Sequence, residues 1–142
     1  MSHARSRWRF LIGDVRLPEN MTAELETVLE KVRYASLPQF MDVVIDNPFV
    51  RCPICGETLL HIVAIWGDID SARVLLDAGV EIDLLGEDDF TALHEAISQG
   101  HFELAKLLLE RGADPTKKCA YGDAYELAAK SDNPAFKDIL RD

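Results

Sequence analysis

Apolar residues at Met21, Leu25, Val28, Leu29 and Val32, with charges between them, trace one face of a helix running to Tyr34. Thr22, with Leu25 and Glu26 close behind, supplies its first turn. Residues 38–46 read as a second helix that Pro48 ends. The segment DVVIDNPF, residues 42–49, lines up with RVLLDAGV, residues 73–80, at a spacing of 31. Ahead of both, RFLIGDVRLP, residues 9–18, has two short apolar runs around Gly13-Asp14 and predicts a two-residue β-hairpin.

The strongest periodicity comes next. Residues 56–83 (GETLLHIVAIWGDIDSARVLLDAGVEID) and 89–116 (DFTALHEAISQGHFELAKLLLERGADPT) match without gaps at a spacing of 33. Thr58 and Thr91 stand where a hydroxyl can accept the first free N–H groups of a helix. That helix of about nine residues ends at Gly67 or Gly100. A second helix carries Ile69, Ala72, Leu75 and Leu76 in one copy, and Phe102, Ala105, Leu108 and Leu109 in the other. It ends at Gly79 or Gly112. Each helix pair has an apolar stripe it cannot cover alone, so copies must stack. A weaker copy follows at a spacing of 32: Ala124–Ala128 matches Ala92–Ala96, and Phe136, Ile139 and Leu140 match Leu104, Leu107 and Leu108. Lys130, Lys137 and Arg141 make its outer side polar, as a terminal cap requires.

The segments GETLLH and FTALHEA, each followed by G-[DH]-x-[DE] and then LL-x-x-G-[AV]-[DE], resemble the ankyrin repeat. Leu59 and Ala92 stand where that family often has proline. The resemblance implies an all-α solenoid of stacked helix-turn-helix units. The hairpin would be this chain's own addition. The expected organisation is an arm and hairpin at 1–19, a degenerate helix pair at 20–50, full repeats at 51–84 and 85–116, and a capping repeat at 117–142. The resemblance also implies that His61 and His94 bond neighbouring loops and stitch the repeats together.

The net charge of −10 is unevenly spread. Residues 1–16 hold Arg5, Arg7, Arg9 and Arg16 against Asp14, and the remainder has 11 basic and 24 acidic residues. Between Arg73 and Lys106 there are eight acids and no Lys or Arg. Such a field repels nucleic acid and anionic membranes and draws in basic partners. The apolar stretch Phe10–Ile12 is too short for a signal peptide, no run reaches membrane-spanning length, and three cysteines show no disulfide framework. These features point to a cytoplasmic protein, expected to be a monomer.

Cys52-Pro53-Ile54-Cys55-Gly56 has the spacing of half a zinc site. The other candidate ligands are Cys119, His3, His61, His94 and His101, and Cys119 would lie two repeats away, about 20 Å at about 10 Å per helix layer. A redox reading of Cys52 and Cys55 has no accompanying thioredoxin-like strand pattern. The third reading is a plain turn with small apolar fillers. No nucleophile elbow or glycine-rich phosphate loop is present, and no enzyme or cofactor is expected.

What remains is a protein-binding scaffold. By the family's register the turn tips are Ile54, Glu57, Glu87, Asp88 and Phe90, and the inner helices expose Ile65, Trp66, Ser98 and Gln99. With Glu95, they would form an acidic concave face around an aromatic anchor; alternatively, Trp66 packs under the N-terminal hairpin. Small acidic ankyrin proteins are similar to bacterial immunity proteins that block a toxin, often a nuclease with a basic groove. Alternative expectations are a general adaptor or regulatory subunit, or a zinc- or thiol-dependent factor.

Overall fold

The structure, a computed structural model, describes residues 19–141. Its α-helices are α1 (Glu19–Ala35), α2 (Leu59–Trp66), α3 (Ile69–Asp77), α4 (Ala92–Ser98), α5 (Phe102–Glu110), α6 (Ala124–Lys130) and α7 (Ala135–Leu140). Short 3-10 turns lie at Pro38–Phe40 and Glu87–Asp89. Helices α2, α4 and α6 stack as one layer, and α1, α3, α5 and α7 stack behind them as a second. Among the described residues there are no strands beyond isolated bridges at Arg51–Thr58 and Cys119–Gly122. The hairpin expected at residues 9–18 lies outside the described residues.

The apolar stripes meet between the layers. Leu59, Leu60, Leu75, Leu93, Leu104, Leu108 and Phe136 are all dry. Each such side chain contributes about 1.5–3 kcal/mol relative to exposure. Phe102 meets Phe136 edge-on at 5.7 Å, which joins the terminal pair α6–α7 to the repeat before it.

The N-terminal part departs from expectation in two ways. First, α1 packs against α3, in the layer of second helices, instead of acting as the first helix of a pair. Lys31 on α1 donates to Asp68 at the start of α3, 3.0 Å away. Second, the helix expected over residues 38–46 does not form. Pro38 starts a single 3-10 turn, and the chain then runs on without helix. The β-branched run Val43-Val44-Ile45 is a poor helix former. Asn47 accepts from the Phe49 N–H at 2.8 Å and turns the chain instead. Arg33 donates to the Ile45 carbonyl at 2.7 Å, folding this loop back onto α1. Phe40, Ile45, Val50 and Cys52 bury their side chains, so the loop is part of the core.

Candidate protein-binding face

The turns that lead into α2 and α4 are built alike. Thr58 and Thr91 each accept the backbone N–H three residues on, from His61 (3.4 Å) and His94 (3.3 Å). In return the Nδ1 atoms of His61 and His94 accept the N–H groups of Thr58 (3.0 Å) and Thr91 (2.9 Å). With Nδ1 accepting, each ring carries its proton on Nε2. His61 then donates to the Phe90 carbonyl at 2.7 Å, and His94 to the Lys117 carbonyl at 3.0 Å. Each histidine therefore closes its own helix cap and grips the next turn, the stitching role that the resemblance implied. Burial holds both rings below the usual imidazole pKa, so they are neutral in the fold.

Other links join the turns. Arg51 reaches from the first turn to the second, donating to the Gly56 and Leu85 carbonyls at 2.6 Å each. The Ala120 N–H donates to the Asp88 carbonyl at 2.9 Å, joining the second turn to the third. His101 lies over Gly67 and donates to the Ile65 carbonyl at 2.9 Å. Gly67 has φ 74°, and a Cβ there would sit 2.6 Å from the His101 ring, so both its conformation and the close approach require glycine. Nothing in the sequence pattern marked Arg51 as a cross-tie.

The expected contact residues divide. Ile54 at the first tip is 94% exposed, and Trp66 at the end of α2 is 38% exposed. Glu87, Asp88, Ser98 and Gln99 are exposed as well. Ile65 and Phe90 are half-buried, and Phe90 lies against Tyr121 edge-on at 5.9 Å. Glu57 and Glu95 were expected at the surface but are only 5% and 8% exposed. Glu57 is held by Gln39, whose Nε2 donates to its carboxylate at 2.9 Å. The N-terminal loop thus covers a tip that the repeat register alone leaves open. Glu95 lies between packed helices, and its carboxyl is pushed up to about 7 by burial and then by Glu57, Glu87 and Asp88. Glu57 and the two turn acids therefore lie near enough to Glu95 for their charges to act on it. Trp66 ends α2, and Gln99 lies one turn past Glu95 at the end of α4, about 6 Å along the axis at 1.5 Å per residue.

Asp88 and Asp89 hold left-handed backbone at φ 57° and 61°. The turn before α2 has Gly56 in that conformation, at φ 79°. Left-handed backbone costs a non-glycine residue about 1–2 kcal/mol, and aspartate is among the types that tolerate it. No sequence signal exposed this strain, because a run of acids reads as an ordinary solvated turn.

The cysteine motif forms a tight turn. The Cys55 N–H donates to Cys52 Sγ at 3.2 Å. Burial opposes ionisation of Cys52, but hydrogen bonds from the Cys55 thiol and the N–H groups of Cys55, Ile54 and Gly56 outweigh it and hold the thiol below its usual pKa. Burial pushes Cys55 up to about 11. Among the described residues no group of three or more His, Cys, Asp or Glu is placed to hold a metal ion. Also among them, no helix is long and apolar enough to cross a membrane.

A family model described as ankyrin repeats (three copies) matches residues 29–119. Its match begins inside α1, in keeping with the place of that helix in the second layer. Among curated proteins, the human palmitoyltransferase ZDHHC13 is 45% identical over 60 residues, covering 42% of this chain and 10% of that protein. The ankyrin repeat and KH domain-containing protein mask of Drosophila melanogaster is 43% identical over 69 residues, covering 48% of this chain and 2% of that protein. Protein phosphatase 1 regulatory subunit 27 of Mus musculus is 31% identical over 85 residues, covering 60% of this chain and 53% of that protein. The chain thus spans a tenth or less of the first two and about half of the third.

Proposed function

Since the chain belongs to the ankyrin-repeat family, whose repeats are protein-interaction modules, we propose that it is a non-catalytic scaffold that takes a basic protein on the face between its turn tips and inner helices. The observation that carries this reading is the run of negative charge from Glu87 and Asp88 in the turn to Glu95 on α4, with Glu57, beside an exposed Trp66 at the end of α2. The charges steer a cationic surface in, and the indole supplies buried contact area once it docks. Ile54, Phe90 and Gln99 border that strip. A toxin nuclease offers matching chemistry in its basic substrate groove, and neutralising such a partner is the specific role we assign. An adaptor or regulatory-subunit role is the second reading, favoured by the likeness to the phosphatase regulatory subunit.

The test is capture of a partner from the native host with the wild-type chain and with a Glu87→Lys, Asp88→Lys variant. The expected result is a basic protein that elutes as salt rises and that the variant no longer holds, while its helical circular dichroism and melting are retained. A partner held equally by both proteins, or held regardless of salt, overturns the assignment of this face. Nuclease inhibition by the captured pair decides the toxin role.

A further inference from the structure

Resting on that reading, we propose that Glu95 is the seat of a single arginine side chain of the partner, with Glu87 and Asp88 as its rim. Glu95 is more than nine-tenths buried, yet its carboxylate accepts no hydrogen bond from any described residue and meets no described cation. The stack does not need an acid there. The matching residue one repeat earlier is Ile62, dry and apolar, and the one after is Leu127, packed against the core. Burial of most of this side chain disfavours its ionised form, while its oxygens keep an opening to solvent through which a donor can reach them. The charges that act on it most are negative, Glu57 from the turn before α2 and Glu87 and Asp88 from the next turn, while the nearby Arg51 is engaged by the Gly56 and Leu85 carbonyls. The Glu57 carboxylate is already engaged by Gln39, which leaves Glu95 as the unmatched acid at the floor and the two turn acids above it.

These acids sit on different elements and are not gathered as metal ligands. A guanidinium suits them better than a compact ammonium, because its planar fork presents five N–H donors to carboxylates on several sides. Docking it would convert Glu95 from a partly protonated to an ionised carboxylate, so binding would release a proton near neutral pH.

The experiment uses the full chain with a capped hexa-arginine peptide, and hexa-citrulline as the neutral isostere, titrated by NMR at pH 6 and pH 8. The variants are Glu95→Gln and, as a control on a distant exposed acid, Asp70→Asn. Expected are tighter hexa-arginine binding at pH 8 than at pH 6, a loss of about tenfold in affinity with Glu95→Gln together with loss of the pH effect, and no change with Asp70→Asn. If Glu95→Gln binds hexa-arginine like the wild type, with the same pH profile, the arginine seat is wrong while the acidic-face reading stands. If the wild type binds hexa-arginine no better than hexa-citrulline, both readings fall.

Discussion

Two copies of one thirty-three-residue plan stand side by side at 56–83 and 89–116, and they agree at their caps while differing at their charges. Thr58 and Thr91, and His61 and His94, make the same bonds to within a few tenths of an ångström. Three other matched pairs diverge: Gly56 against Asp89, Ile62 against Glu95, and Asp68 against His101. Where the copies agree, the residues close backbone groups that stacking would otherwise bury unpaired. Where they diverge, the second copy takes on an acid within its inner helix, and left-handed backbone at residues other than glycine, that the first avoids. Folding needs the shared set; the divergent set is where binding chemistry has room to sit.

The largest expected effect comes from the shared set. His61→Ala and His94→Ala should each cost about 2–4 kcal/mol in urea unfolding, through a lost cap and a stranded carbonyl on the next turn. Losses that differ by more than about 1 kcal/mol would break the equivalence of the two copies. A matched pair of glycines gives the next contrast. Gly67→Ala must displace the His101 ring, whereas a Cβ at Gly100 meets nothing within 4 Å. Gly100→Ala should cost about 1–2 kcal/mol, for left-handed backbone alone, and Gly67→Ala clearly more.

Giving the second copy the first copy's residue tests the divergent set. Glu95→Ile should stabilise the protein at pH 8 by about 1–2 kcal/mol, seen as a rise in melting temperature. The sign depends on pH. Raised to about 7 from 4.5, the Glu95 carboxyl loses stability for the fold as pH rises through that interval. The neutral histidines act oppositely, their contribution being complete above 6.5 and lost as pH falls below it. In the wild type the two trends partly offset each other between 4.5 and 6.5, so Glu95→Ile should lose stability more steeply on acidification. A parallel pH profile for the two proteins would show that Glu95 titrates normally. The smallest effect is expected from Asp89→Gly, a gain of about 0.5–1 kcal/mol by relief of left-handed backbone. No gain would mean that the turn holds Asp89 without strain.

The helix pairs, their caps and their histidines were legible because each leaves a mark within a few residues: a hydroxyl three places before an imidazole, a glycine after an apolar stripe. The terminal pair α6–α7 was legible from its apolar match to the repeat before it at a spacing of 32, even with Asp123 in place of threonine as its cap. The layer that α1 joins was not, since an amphipathic face shows that a helix is half-buried and not which neighbour covers it. The burial of Glu57 depends on Gln39, eighteen residues away in a loop without periodicity. Glu95 was read as a surface acid because charge within a helix usually marks the solvent side; only the stacking of Ile62 and Leu127 beside it shows otherwise.

The back of the molecule is tied by charge: Lys31 to Asp68, and Arg111 to Asp77 at 2.7 Å. The turns are tied by bonds to backbone carbonyls, at Leu85, Phe90, Asp88 and Lys117. Ionic strength weakens the first kind of tie far more than the second. Brine would therefore slacken two outer ties and leave both the greasy interior and the spacing of the fingertips as they were.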